Sequence, residues 1–482
     1  MGTVSDIAPA FVRQRAEMQL VHDLCGGTQA MKDAGERYLF RGEAESDAEF
    51  ALRLKNTALL NAYVRTLRFM RGQVFKKPVS IEDTKEGDLL DKKGVEWFQA
   101  WAENVDRQGA NLSTWAGHAF SRGINDGVTF CLVDFDVSPD AGEVVGRQAE
   151  GKAPYLVLIP AEKVLDCRMA MIDGRQQVVH FRYVEDVYTE KDEFTLEKTQ
   201  RIRLYTPGLW RTFDNAVDSQ GTFEPSGEGE MRDAAGNLLP FVPLCLYMPG
   251  EKRTDATAEP AMQDLAWLNL RHWQASSSQA ALMEFVRRPV WFGKGLGDGE
   301  TPIAFGPGRL ISCSDVSSAL VNLGVDAGSV AAGRQELQDI EAQMALYGLQ
   351  LLEPNHGMVT ATEISQESEE SLSTLQEWAT RFQDFLENCL FMAALWQGWP
   401  DGPSVKVNTD LTRTMNTEML VKLQEQNVLS KGTLMKLLVR DGILPDDFDA
   451  EEEKNALAQE LNTVAGAAGP LDLNAFLNGA KG

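Results

Sequence analysis

Apolar positions recur at three- and four-residue spacing over three stretches in the second half of the chain, and the segments between them are rich in helix breakers. The first helix is expected from Thr257-Ala-Glu-Pro260, where a Thr precedes a Pro in the first turn, to about Val286. Met262, Leu265, Leu268 and Trp273 supply its apolar stripe, and Ala275-Ser276-Ser277-Ser278 then replaces large side chains with small ones. A patch of that kind fits a neighbouring helix passing close; a plain buried helix with a small-residue crossing point fits it equally well. A second helix is predicted over Ser329–Leu352 from the spacing of Leu337, Ile340, Met344 and Tyr347. Glu353-Pro-Asn-His-Gly-Met358 breaks it, because Pro354 and Gly357 both disfavour helix. Thr360-x-x-Glu363 has capping-box spacing, and Leu372, Leu375, Trp378, Phe382, Phe385 and Cys389 then hold a helical period towards Trp396.

Between the first two helices lies a different kind of sequence. Pro289 stops the helix, Val290-Trp-Phe292 is a short β-prone run, and glycines supply turns as far as Gly308. Arg287, Arg288, Lys294 and Arg309 outnumber Asp298 and Glu300, so the local charge opposes that of the whole chain. Lys294 among glycines invites a phosphate-loop reading, but the Walker spacing and a G-x-G-x-x-G opening a helix are both missing.

Upstream, the pattern is mixed. Ser46-x-x-Glu49 is a capping box, predicted to open one helix running through Arg53, Tyr63, Leu67 and Met70 to a stop at Gly72. Further helices are expected over Trp97–Glu103 and Leu112–Ile124, then strands over Val128–Val133, Tyr155–Ile159, Val178–Val184, Arg201–Tyr205 and Phe241–Tyr247. Asp214–Asn237, rich in Gly, Ser and Glu, reads as a mobile hairpin or loop. Near the C-terminus short helices are expected over Asn416–Gln426 and Lys431–Arg440, followed by an acidic run and a loosely held tail. The fold class is therefore α+β, mainly α.

Charge and residue chemistry narrow the function. The 71 acidic and 46 basic side chains give a formal net charge of −25, which argues against wrapping DNA or adhering to an anionic membrane over most of the surface. No apolar run reaches membrane-spanning length, and the N-terminus lacks a signal-peptide pattern, so synthesis and retention in the cytoplasm are expected. The six cysteines lie far apart, which fits reduced, small hydrophobic side chains better than metal ligands or disulfides. The spacings H-E-x-x-H, G-x-S-x-G and Cys₂His₂ are missing, and neither a catalytic residue nor a cofactor is expected. Asp134-Phe-Asp136 at a strand end offers two carboxylates to a metal, although a solvated strand end explains them as well.

Four stretches, taken in order, resemble the portal proteins of tailed bacteriophages, in a branch long catalogued only as phage chains of unknown function. Tyr38-Leu39, then Phe50-x-x-Arg53 and Arg65-Thr-Leu to Gly72-x-x-Phe75-x-x-Pro78, look like the opening of that branch. Asp264-Leu-Ala-x-Leu-Asn269 to Trp273 looks like its first stem helix. Thr360-Ala-Thr-x-Ile364 and Leu429-Ser-x-x-Thr433 to Gly442-Ile-Leu-Pro-Asp-Asp447 complete the match.

The resemblance implies a homo-oligomeric ring, usually of twelve copies, at one capsid vertex of the virion, with double-stranded DNA passing along its axis. It assigns 1–258 to a wing, 259–287 and 326–352 to a stem, 288–325 to a clip, 353–364 to a tunnel loop, 365–415 to a returning wing helix and 416–482 to a helical crown and tail. In that frame Ala275, Ser276, Ser277 and Ser278 pack the ring, and Arg287, Arg288, Trp291, Phe292, Lys294 and Arg309 dock a packaging motor (terminase) and later a tail adaptor. Glu353, Asn355, His356 and Met358 line the tunnel constriction. Major capsid and scaffolding proteins are the other implied partners. An acidic chain suits a passing duplex, since a negative lumen avoids the cumulative phosphate contacts that would hold it. A head-completion or capsid protein, a DNA-packaging enzyme and a non-viral helical scaffold stay open; the second would need a phosphate loop or carboxylate cluster that the sequence does not display.

Overall fold

The computed structural model describes residues 2–43, 45–82, 89–135, 153–215, 222–287, 290–294, 319–323, 327–347 and 361–409, together with Gly432, Leu434 and Leu438. Side chains are described for all of these except 290–294, 319–323, Ala327 and 361–373. The chain divides into Met1–Leu411 and Thr412–Gly482. Of the second unit only those three positions, each helical, are described, so the expected crown lies almost wholly outside the described residues.

Helices α1 (Pro9–Cys25), α2 (Gly27–Ala34), α3 (Asp47–Asn56) and α4 (Ala62–Val74) open the fold, followed by the short strand β1 (Ser80–Ile81), α5 (Lys92–Trp101) and α6 (Leu112–Asp126). Side-chain caps fix most of the starts. Ser46 Oγ accepts from Glu49 N at 3.3 Å while Glu49 Oε2 accepts from Ser46 N at 2.9 Å, the capping box read from the sequence. Asn61, Asp91 and Asn111 accept from Val64 N, Gly94 N and Thr114 N in the same way. Helix α6 ends at Gly127, φ +77°, where a Cβ would sit 2.1 Å from the Ala258 carbonyl oxygen; only glycine fits both the left-handed turn and that approach.

One expected helix from Ser46 to Gly72 is in fact two. The chain leaves helix at Thr57 and re-enters at Asn61, and Gly72 lies inside α4 rather than ending it. The cause is tertiary: the segment between takes a partner far away in sequence, described below.

Strands β2 (Thr129–Asp134) and β3 (Tyr155–Ile159) follow, then β4 (Val164–Ile172), β5 (Arg175–Asp192), β6 (Thr195–Thr206), β7 (Leu209–Asn215), β8 (Phe223–Glu230) and β9 (Leu244–Tyr247). β4 to β8 form a five-stranded antiparallel meander, and β2 lies between β3 and β9 in a separate three-stranded sheet. The 214–237 segment, read as a mobile hairpin or loop, contributes β8 to a hairpin with β7: Trp210 pairs with Gly229, and a Cβ there would meet the indole at 2.6 Å, so glycine lets the ring lie flat on the strand. The β5–β6 hairpin runs past the core, ending in Phe194, which is 90% exposed.

Strands β10 (Lys252–Thr254) and β11 (Thr257–Ala258) pair next, and the first long helix, α7, spans Gln263–Arg287. Its start is later than the Thr257–Pro260 signal because the backbone there is already committed. Glu259 N donates to Glu251 O, and Ala261 N to Ile124 O, each at 3.0 Å. Strands β12 (Val290–Lys294) and β13 (Ala319–Leu323) form an antiparallel pair, then α8 (Ala327–Leu346) and α9 (Ala361–Gln397) follow, and β14 (Val405–Lys406) pairs with β1.

Helix α9 carries the largest aromatic contribution to the core. Phe382 lies edge-on to Phe75 (5.8 Å), Phe120 (5.4 Å) and Tyr247 (4.9 Å), and Phe385 packs beside it. Leu375, Trp378, Phe382, Phe385, Cys389 and Trp396 are all buried, as their period predicts. Cys131 and Cys245 are register partners across β2 and β9, and all three of Cys131, Cys245 and Cys389 are buried free thiols. Burial pushes the Cys131 and Cys389 thiols up, so they act as small neutral side chains.

Candidate functional site: the central helical hairpin

Burial along α7 is uneven. Leu265, Ala266, Asn269, Leu270, His272, Trp273 and Ser277 are buried, whereas Phe285 and Val286 near the end are exposed. At about 1.5 Å per residue, its 25 residues span about 37 Å, with one half rooted in the core and the other leaving it. Helix α8 runs beside it, burying Ile340 and Met344.

Small residues set how closely the two helices approach. Ala275, Ser278 and Gln279 of α7 face Ser329, Gly333 and Glu336 of α8 across a shared cleft. Gly333 makes room for Gln279, since a Cβ there would meet Gln279 Oε1 at 2.1 Å and the side chain would have to move. Gln279 Nε2 donates to Val330 O at 3.2 Å, and His272 Nε2 lies 3.2 Å from Glu341 Oε1.

At the root, α7 is bolted to the break between α3 and α4. Asn269 is fully buried; its Oδ1 accepts from Tyr63 N at 3.0 Å and its Nδ2 donates to Leu60 O at 2.9 Å. One side chain therefore pairs the Tyr63 N–H that the helix break would otherwise leave unpaired, and adds a second donor to Leu60 O, which also accepts from Ala62 N at 3.0 Å. About two turns further on, Ser277 Oγ accepts from Arg53 Nη1 at 3.2 Å and lies 3.0 Å from Thr57 Oγ1. Arg53 also makes a two-pronged pair with Glu45 at 2.7 and 2.8 Å and donates to Phe40 O at 2.8 Å. Its guanidinium holds the Glu45 carboxyl below the usual carboxylate range. Gln274 Nε2 donates to Tyr38 O at 2.8 Å.

The motif residues read separately from the sequence thus meet here: Tyr38, Arg53 and Asn269 converge on one helix. The small-residue patch has a different role from the one assigned to it. Ser277 is 0% exposed and bonded within its own subunit, so it is not a ring-packing surface, while Ala275 and the exposed Ser278 line the cleft towards α8. Ser276 is half-buried.

The remaining expected site residues are distributed as follows. Arg287 is the exposed last residue of α7, while Trp291, Phe292 and Lys294 fall on β12, opposite Asn322, Val321 and Ala319 of β13. Arg288 and Arg309 lie outside the described residues, as do Glu353, Asn355, His356 and Met358. A cleft of about 680 Å³ is lined by residues of α7, α8 and α9 and of the turns before α7 and after α8, among them Met262, Leu265, Leu346, Tyr347, Leu375 and Trp378. Asp134 accepts from Phe135 N at 2.8 Å and from Tyr155 Oη at 3.3 Å, and Asp136 lies outside the described residues. Sequence reasoning missed Arg53 and Asn269 as structural anchors, although both stood within the motifs quoted.

The described chain is thus a mixed helix-and-sheet body from which a paired-helix element with a small β-pair emerges, and no described helix is long and apolar enough to cross a membrane. Residues 261–397, which hold α7, α8 and α9, match the model of a domain of unknown function, DUF4055. No curated protein matches the chain. Among solved structures it is similar to a chain of the neck of an empty GTA particle computed with C6 symmetry, at 12% identity and a TM-score of 0.42, covering 82% of this chain and 92% of that one. It is also similar to a chain of the neck of a native GTA particle computed with C12 symmetry, at 12% identity and a TM-score of 0.38, covering 87% and 96%. Neither likeness carries an argument about function.

Proposed function

We propose that the chain is a portal-type subunit, of which copies close into a ring around an axis that double-stranded DNA traverses during packaging and ejection. In this reading the body made by residues 1–258 and α9 is the wing, α7 and α8 are the stem, and β12 with β13 belongs to the clip. The segment 353–364 forms the tunnel loop and 416–482 the crown. The observation that carries the reading is the α7–β12–β13–α8 excursion. A buried polar anchor, Asn269 and the Arg53–Ser277–Thr57 cluster, holds its root, while the far end of α7 is exposed and leads into the two-stranded pair.

The physics of that element fits a wall rather than a catalytic cleft. Rigid paired helices keep a fixed separation, and head-to-tail contacts between identical subunits close into a ring when the rotation permits. Exposed apolar side chains on the outer half of α7 and on α3, namely Phe285, Val286 and Leu52, together with Phe40, supply area for a neighbouring copy. The net charge of −25 favours a lumen to which a duplex does not adhere.

The test uses particles made without this chain and complemented by variants. Deleting Asn355–Met358 is expected to permit ring and head assembly but to reduce the DNA retained. Full-length DNA packaged and held normally would remove the tunnel-loop assignment, and normal packaging in particles that contain none of this chain would remove the portal reading altogether.

A further inference from the structure

We propose that His22, Asp126 and Glu162 form a divalent-cation site that clamps α1 to the end of α6 and to the 3₁₀ turn Ala161–Lys163 preceding β4. One ligand atom from each residue lies within 4.8 Å of the other two, the only such group among the described residues. His22 stands more than a hundred positions before the other two in the chain, and packing of α1 on α6 and β4 brings the three together.

Each donor is placed for a reason. His22 stands in the last turn of α1, with Nε2 2.6 Å from Asp126 Oδ1. Asp126 is the last residue of α6 and 3% exposed, and its backbone carbonyl accepts from the Gln14 side chain, which fixes the carboxylate on the α1 side. Glu162 carries the decisive feature: Oε2 is shut off from solvent and has no hydrogen-bond partner. A buried carboxylate oxygen without a donor is costly, and a cation shared with a second carboxylate removes that cost.

The surroundings set the class of ion. Arg15 lies close to Glu162, and its Nη2 donates to Val164 O at 2.9 Å, but its Nε is itself without a partner, so the guanidinium does not close the gap to Oε2. Arg122 is a second positive neighbour of Asp126. One imidazole nitrogen with two carboxylate oxygens selects a first-row ion such as Zn²⁺ or Mn²⁺ over Ca²⁺ and Mg²⁺, which take oxygen alone. The His22 side chain is 34% exposed, which leaves room for water to complete the coordination. The site lies in the expected wing and does not depend on the portal reading.

The test is calorimetric titration of Zn²⁺ into EDTA-treated, dialysed full-length protein, repeated on three variants. Wild type is expected to bind one Zn²⁺ per chain, and Glu162→Gln and His22→Gln to weaken it about ten-fold or more. His118→Gln, a change at an exposed histidine on α6, should leave binding unchanged. Glu162→Gln is the key variant, because Oε2 makes no protein bond whose loss would unfold the subunit. A wild type without a stoichiometric Zn²⁺ site, or a Glu162→Gln protein that binds as tightly as wild type, overturns the proposal.

Discussion

Replacing Asn269 by Leu keeps the number of side-chain heavy atoms and removes both hydrogen bonds that this side chain makes to the break between α3 and α4. Tyr63 N–H, now donating to Asn269 at 3.0 Å, would be left unpaired in a buried site, whereas Leu60 C=O loses the 2.9 Å bond from Asn269 but keeps the Ala62 N–H at 3.0 Å. The orphaned Tyr63 N–H costs about 1–3 kcal/mol, the lost bond to Leu60 O about 1 kcal/mol, and apolar burial of the leucine recovers part, so a net loss of about 1–3 kcal/mol is expected. Asn269→Asp separates the two bonds. The carboxylate still accepts from Tyr63 N–H, cannot donate to Leu60 O, and is charged in a buried position. It should destabilise more than Leu at neutral pH, and acidification should relieve it in part because a protonated carboxyl can donate. Urea unfolding followed by circular dichroism reads the global loss, and amide exchange reads the local one, in residues 57–66 and 263–275. Wild-type midpoints and exchange protection in both variants would refute the claim that this side chain anchors the helical hairpin.

Other outcomes follow from the same contacts. Phe382→Ala, which empties the centre of an edge-on aromatic cluster, should cost about 3–5 kcal/mol in urea unfolding; a loss under about 1 kcal/mol would mean that α9 does not hold the core together. Ser277→Trp should give misfolded subunits, detected by proteolysis and loss of a cooperative transition, rather than folded subunits unable to assemble, because Ser277 is buried against Arg53 and Thr57. For Glu45, whose carboxyl Arg53 holds low, the stabilising contribution is fully present above about pH 4.5 and lost as pH falls through the lower folded value. The stability gap between wild type and Glu45→Gln should therefore close on acidification, and a gap that widens would contradict the pairing. Trp291→Ala combined with Lys294→Glu should leave the assembled ring intact while a pull-down with the packaging motor or tail adaptor weakens; undiminished capture of both would remove the docking role from β12.

The long helices were legible because each buries a continuous stripe, and a stripe repeats at the helical period wherever it occurs. Helix α1 was not foreseen, although Phe11, Met18, Val21 and Leu24 keep that period. Its stripe includes Gln14, a polar residue whose burial is explained only by the Asp126 carbonyl it meets. The sequence of β8 reads as hairpin or loop for a related reason: its glycines are compatible with either, and they are the positions where the backbone accommodates Trp210. The helix break at 57–61 is set by Asn269, more than 200 positions away, and the burial of Ser277 by Arg53, 224 positions away. No local pattern records such a partner, so the small-residue patch could be recognised as a crossing point without revealing which helix crosses it.

The central claim is closure of identical subunits around an open axis, and the most direct measurement is the native mass of the purified full-length assembly combined with end-on electron-microscopy class averages. The account predicts a single species of about twelve copies whose end views are closed rings with a hole wide enough for a duplex, roughly 20 Å or more given groove and backbone dimensions. A monomer, an open filament, or a closed oligomer without an axial hole would contradict it.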